Sequence, residues 1–535
     1  MTHLSGNESV SLPTELVQQS DPYHFPQATR KTMSEMSSTQ ESLQPKLDQL
    51  ECHFTWNIKK DDLALTDILN RLEEQVKMGR GGEQGVARTH CSLGYVKFLL
   101  GLKEEALTHL LKSETLKEEA LTHLLKSETL IKENLGDSCD KTLIVTYGNF
   151  AWINFHMKNY TECESYLMKL QKIKETFTTE FSSVPEVLGE KGWAYLKISR
   201  KYYDRAVEVF QKAVELDPEN SEWNAGYATA LYRIETSSRT ESCTVDSPAI
   251  KQLRQALDIN PDDDTLRVLL GLKLLLCSKK LMNESEKLME TALNGSPNDP
   301  HVIRYVGKYL RNQGSVDRSI ALLMKALERS PKSGFIHHQL AMCYKNKKIT
   351  LQKEQDRGNR SEVNYARNQC IYYLEKATSL KDSFIFAMCE LALQYGERGD
   401  MSKADKLFGR TFKTAREKND SVHVVHYYYA DFQKYCNRRE DFAIEHYKKC
   451  LKMNPHSSEG ERSAKKLMII AQRCIRVNPA DWKANEILGL IYHLKGEMFE
   501  DTKRYAATSD NDDDDDDDEY ISNLSECFKE CAING

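Results

Sequence analysis

Gly192-Trp193-Ala194-Tyr195-Leu196-Lys197 opens the stretch that decides the fold, and Ala206, Phe210, Ala213 and Pro218 complete it. These four are spaced by four, three and five residues, and Ala206 lies twelve after the small Ala194. That is the pattern of a 34-residue tetratricopeptide unit, a pair of antiparallel helices. The reason is packing. Small residues sit where two helices cross closely, an aromatic fills the gap beside them, and proline stops the second helix. Further turns end at Pro261, Pro297 and Pro331, the last two 34 residues apart with Gly307, Leu323 and Ala326 in the expected places between them.

The spacing extends in both directions. Upstream, 146–170 reads as a hairpin carrying Gly148, Ala151, Trp152 and Tyr166. Downstream, Leu391, Ala392, Tyr395, Ala404 and Phe408 keep it, as do Ala443, Tyr447 and Pro455, then Leu488, Gly489 and Tyr492. One hairpin cannot bury its own apolar face, so at least seven stack into one array. The expected fold is all-α: a tetratricopeptide-repeat superhelix with a positively charged inner groove or tunnel.

The chain divides by composition. Residues 1–45 are rich in Ser, Thr, Gln and Pro and read as a disordered extension, with Met36 a candidate start. Residues 46–140 hold N-terminal helices, interrupted by four glycines between Gly79 and Gly85. Residues 141–345 are central repeats, 346–364 a polar insertion, and 365–507 C-terminal repeats. Residues 508–535 form an acidic tail with seven consecutive aspartates, Asp512 to Asp518, which repel one another and stay solvated. Within the second block, KEEALTHLLKSETL at 103–116 recurs letter for letter at 117–130. Fourteen residues are roughly 3.9 helical turns, so an extra copy is expected to lengthen a helix by about 21 Å with its apolar face nearly in register.

Composition excludes several classes. No apolar run approaches the ~18 residues of a spanning helix, and the N-terminus shows no charged-then-apolar signal. The fourteen cysteines are scattered and read as reduced thiols; neither they nor the aspartate run read as a metal site. The chain has no GxSxG, HExxH, Walker loop or paired CxxC, so no enzyme and no cofactor are expected. The formal net charge is −6, yet residues 191–350 carry 25 Lys and Arg against 19 Asp and Glu, a local +6.

The repeat register places those cations. Positions 5, 9 and 12 of a unit are spaced i, i+4, i+7 and form one stripe on the first helix, facing the groove. With Gly307 at position 8 the stripe is Arg304, Lys308 and Arg311. With Ala341 there it is His338, Met342 and Lys345, with Gln339 beside His338. With Ala228 there it is Thr229 and Tyr232, with Arg233 at the edge. Lys197 stands where the repeat normally buries an aromatic, and an ammonium there must be paired or reach a ligand. Trp193 lies one turn earlier; plain core packing accounts for it equally well. Together the stripes favour an anionic ligand over a merely solvated face.

Several segments resemble the interferon-induced proteins with tetratricopeptide repeats. They are Cys52-His53-Phe54-Thr55-Trp56, Gly148-Asn149-Phe150-Ala151-Trp152, Lys191-Gly192-Trp193-Ala194, Asp217-Pro218-Glu219-Asn220, Gly226-Tyr227-Ala228 and His337-His338-Gln339. The resemblance covers roughly residues 47–505. It implies a cytoplasmic, non-catalytic antiviral effector that holds foreign single-stranded RNA by its 5′ end, a triphosphate or an incompletely methylated cap, without DNA or membrane. It assigns Arg71, Gln75, Trp193, Lys197, Tyr203 and Arg233 to the RNA 5′ end. To the RNA body it assigns Arg304, Lys308, His338 and Gln339, and the groove stripe adds Arg311. Thr229 stands where the family has an apolar residue near the cap pocket, which favours the triphosphate. Related repeat proteins or translation factors are further implied partners. The competing reading is a protein-binding scaffold whose groove takes an acidic peptide. A groove closed into a pocket around Lys197, Arg233 and Arg304 favours RNA; an open, two-ended groove favours the scaffold.

Overall fold

The computed structural model describes residues 40–495, except residues 80, 107–109, 137–138, 177–179, 239–245, 278–280, 354–359 and 419. Among these there are helices and no β-strand. A short helix α1 spans 40–47 and α2 spans Leu65–Lys77. Ten hairpins follow. They are α3 (Gly82–Ala106) with α4 (Leu110–Leu135), α5 (Asp140–His156) with α6 (Tyr160–Glu175), and α7 (Pro185–Ile198) with α8 (Tyr203–Leu216). Then come α9 (Ser221–Ser238) with α10 (Pro248–Ile259), α11 (Asp264–Cys277) with α12 (Met282–Gly295), and α13 (Pro300–Asn312) with α14 (Val316–Arg329). The last are α15 (Gly334–Lys353) with α16 (Arg360–Leu380), α17 (Ile385–Arg398) with α18 (Met401–Glu417), α19 (Val422–Asp431) with α20 (Glu440–Met453), and α21 (Ser458–Val477) with α22 (Trp482–Lys495).

The deciding stretch shows why glycine recurs. Phe210 on α8 is fully buried and wedges between α7 and α9. A Cβ at Gly192 would lie 2.8 Å from its ring, and one at Gly226 would lie 2.3 Å away. The aromatic of one hairpin therefore fits only because both neighbouring first helices are bare there. Proline opens α7 at Pro185, α10 at Pro248 and α13 at Pro300, where its missing N–H costs nothing.

The two N-terminal motifs dock on each other. Asn149 accepts from the His53 backbone N–H (3.2 Å), and its amide nitrogen lies 3.0 Å from His53 Nδ1. Phe54 stacks on Trp152 with ring centroids 5.6 Å apart and planes 9° apart. Cys52 lies against Gly148, where a Cβ would sit 2.8 Å from it. Both motifs thus hold 52–56 on α5.

Three expectations change. The extension expected to be disordered through residue 45 is helical from residue 40, because Leu43 and Leu47 sit one turn apart and are buried in the core. Polar neighbours hid that pair; residues 1–39 and the acidic tail lie outside the described residues. The duplicated segment does not lengthen one helix. Its first copy runs from α3 into α4 and its second lies within α4, so the extra residues are shared between the two arms of a hairpin. Ala120 and Leu124 of the second copy are fully buried. The polar insertion 346–364 belongs largely to two long helices, α15 and α16. Its Lys348 is buried and bonded to Gln394 (3.1 Å) and Glu397 of α17, so charge there signals pairing between helices rather than a loop.

Candidate nucleic-acid interface

The first helices line the concave side, and the array curls until its halves touch. Arg200, just after α7, bonds Asp420 and the Ser421 hydroxyl (2.9 Å), 220 and 221 residues further on. Lys381, between α16 and α17, lies 3.7 Å from Asp67 of α2. Inside this closure is a cavity of about 1210 Å³. Arg71, Gln75, Trp193, Lys197, Tyr203, Arg233 and Arg304 all line it. Lys197, Arg233 and Arg304 thus line one cavity together.

Its cationic part is built on the C-terminal end of α7. Arg233 donates to Leu196 O (2.8 Å) and to the Tyr203 hydroxyl (3.3 Å). Arg71 donates to the next carbonyl, Lys197 O (3.2 Å), and pairs with Asp67 (3.2 Å). The last carbonyls of a helix lack intrahelical partners and carry its negative pole, so guanidinium groups settle there. Each guanidinium has five N–H donors in a fork, so these bonds leave donors for a ligand. The Lys197 ammonium donates to the Thr89 hydroxyl (3.3 Å) and lies 5.6 Å from the Trp193 ring centre. Burial, helped by the neighbouring Arg71, pushes the Lys381 ammonium below the usual lysine range, although Asp67 acts the other way.

The opposite part is acidic. Glu186 and Glu222 lie in the first turns of α7 and α9, Asp264 in that of α11, and Asp299 caps α13 by accepting from the His301 N–H. Helix N-termini favour carboxylates, and the repeat sets these N-termini side by side. The lining holds ten Lys and Arg against twelve Asp and Glu. The expected positive lining is therefore a polarised one: cations prevail near the α7 C-terminus, where Asp67 and Asp420 pair with some of them, and acids prevail at the N-termini, where Arg88 and Arg304 also lie. Counting charge along the chain could not reveal that separation.

Trp193 stands between the two parts. Its indole N–H is buried without a partner, as is that of Trp223. Glu190, one turn before Trp193, is buried with one carboxylate oxygen 3.5 Å from Arg88 and the other unpartnered. Burial pushes its pKa up to about 7 despite Arg88. Arg88 is held more closely by Glu222 at 2.5 Å.

Four expected contact residues do not line the cavity. Lys308, Arg311, His338 and Gln339 are all buried. Arg311 donates to Gln339 across α13 and α15 (3.2 Å), and His338 packs on Phe384 (4.9 Å between ring centroids). Tight curling presses successive first helices together and buries their second and third turns, leaving the first turn of α13, with His301 and Arg304, on the wall. Conversely, Arg88, Arg200 and Lys381 line the cavity and were not foreseen. Only the curl brings Arg200 and Lys381 there, and no repeat spacing encodes it.

Residues 185–220, the α7–α8 hairpin and its flanking turn, match the tetratricopeptide repeat model. The chain is 34% identical over 467 residues to the human antiviral innate immune response effector IFIT1, covering 86% of this chain and 94% of that protein. It belongs to the interferon-induced proteins with tetratricopeptide repeats. It is also 31% identical over 474 residues to human interferon-induced protein with tetratricopeptide repeats 2, covering 86% of this chain and 95% of that one. Among solved structures of the interferon-induced family, it resembles the human IFIT1 dimer with m7Gppp-AAAA (TM-score 0.73, 32% identity, 87% of this chain and 98% of that). It resembles the dimer with PPP-AAAA similarly (TM-score 0.71, 32% identity, the same coverage). No helix among the described residues is long and apolar enough to cross a membrane.

Proposed function

We propose that this chain is a cytoplasmic, non-catalytic antiviral effector of innate immunity that captures foreign single-stranded RNA by its 5′ end, favouring a triphosphate. The observation that carries the reading is the cavity lined by Arg71, Lys197 and Arg233, which meet at the C-terminal end of α7. Forked guanidinium groups and a point-charge ammonium are the groups that hold phosphate oxygens. The resemblance to human IFIT1 structures bound to PPP-AAAA and to capped RNA supports it. In this reading Arg71, Gln75, Lys197, Tyr203 and Arg233 surround the terminal phosphates and Trp193 meets the first nucleotide. Arg304 holds the following phosphates. Lys308, Arg311, His338 and Gln339 act from behind the wall by fixing α13 and α15. A cavity lined by cations and aromatic rings suits the phosphates and unstacked bases of a single strand rather than base edges.

A capped end is the second reading. Trp193, Trp223 and Glu190 all line the cavity, and a carboxylate oxygen without a partner beside aromatic rings suits a flat cationic base. Titrating triphosphate, monophosphate, hydroxyl and capped forms of one short RNA separates the two. The triphosphate form should bind most tightly, and preference for the capped form would favour the second reading.

A further inference from the structure

We infer that the acidic C-terminal segment of this chain docks on the cationic part of the cavity and competes with the RNA end. The inference rests on the proposed function, since it assigns the same wall a second, internal occupant. Residues 510–519 hold nine acidic side chains: Asp510, Asp512 to Asp518 and Glu519. The whole chain carries −6; without those nine charges the remainder is +3. Body and segment are therefore opposite in sign, and the body's cations are concentrated rather than spread. Arg71, Lys197, Arg200, Arg233 and Lys381 share one cavity wall. Carboxylates offer arginine forks the same paired oxygens that phosphate does. The acidic helix N-termini across the cavity direct any polyanion, RNA or aspartate, to that one wall.

Geometry allows the contact. The C-terminal half meets the cavity rim at Asp420 and Ser421, which bond Arg200. From there four helices, α19 to α22, lead to Lys495. At ~8–10 Å per packed helix, Lys495 lies within roughly 40 Å of the rim. Asp512 lies seventeen positions beyond Lys495, a span that fully extended chain covers in about 55–60 Å. Tethering makes the competition intramolecular, so a weak contact suffices to compete.

The test compares the full chain with a chain ending at residue 507 and with one carrying Asp512–Asp518 all changed to Asn. The probe is a labelled short single-stranded RNA with a 5′-triphosphate, titrated at 50 mM and 500 mM salt. Both altered chains should bind the probe about tenfold more tightly than the full chain at low salt, and the difference should vanish at high salt. The affinity of the full chain should also fall less steeply with salt, because salt weakens the competitor too. Equal affinities at low salt overturn the inference. A labelled peptide of residues 508–520 added to the shortened chain separates the two ideas. If RNA fails to bind but the peptide binds and loses affinity on Arg233→Ala, the RNA reading fails and this contact stands. Peptide binding that ignores Arg233→Ala overturns the cavity as its site.

Discussion

Arg71 and Arg233, 162 positions apart in the chain, donate to consecutive carbonyl oxygens, Lys197 O and Leu196 O, at the C-terminal end of α7. One arrives from α2 and the other from α9, so a single helix end gathers two guanidinium groups. The arrangement predicts that lysine cannot replace arginine here. An ammonium in place of the Arg233 guanidinium could serve Leu196 O but would lose the flat fork that also reaches Tyr203 and a ligand. Arg233→Lys should therefore weaken triphosphate RNA binding, by about tenfold, with circular dichroism unchanged. Parental affinity in that variant would show that the fork does not face the ligand.

Gly192→Ala and Gly226→Ala test the packing that sets the curl. Each new Cβ would press on the Phe210 ring, at 2.8 Å and 2.3 Å. Overpacking of this kind costs about 1–3 kcal/mol, so each variant should melt several degrees lower. Gly409→Ala, whose Cβ would meet nothing within 4 Å, is the control and should not lower the melting point.

How much of this was legible depends on whether the spacing is local. Ala206, Phe210 and Ala213 announced the hairpin because an i, i+4, i+7 stripe lies within one helix. The groove wall was legible where it lies near the start of a first helix, as with Arg304, and at Trp193 and Lys197, which the curl leaves facing the cavity. It failed at Lys308 and Arg311, because the depth to which neighbouring helices bury a stripe depends on superhelix curvature. It also missed Lys381, which the curl alone brings to Asp67. Leu43 and Leu47 escaped because composition averages over a window wider than one helical turn.

Acid should destabilise the fold before most of its carboxylates titrate. Burial holds His53 down at about 3, and His90, His123, His426 and His446 at about 4, against 6.5 when exposed. Each depressed base contributes stability that is present above pH 6.5 and lost as pH falls toward 4, because the unfolded chain takes up the protons. Glu190, raised to about 7, acts in the opposite direction between 4.5 and 7, but it is one group against five. Melting temperature should therefore fall steadily from pH 7 to pH 4.5. His426→Phe should shallow that slope; a flat profile in the parent would contradict the assignment.

Closure of the superhelix should govern release. Asp420→Ala removes the partner of Arg200 across the rim. The pair is partly exposed, so it contributes at most about 1 kcal/mol at low salt. RNA dissociation should quicken up to roughly fivefold with little change in association. An unchanged dissociation rate would mean that the rim stays closed by other contacts.

The proposed function has the cations on this wall hold terminal phosphates. Its most direct test is the affinity of Arg233→Ala and Lys197→Ala for triphosphate and for hydroxyl-ended RNA of the same sequence, with melting curves measured alongside. Charge-assisted contacts of this kind contribute roughly 1.5–3 kcal/mol. Each variant should therefore lose about 10- to 150-fold for the triphosphate and little for the hydroxyl end, while staying folded. Parental affinity for triphosphate RNA in both variants would contradict the claim and favour the scaffold reading. Unfolding of both would show instead that the two residues serve the fold.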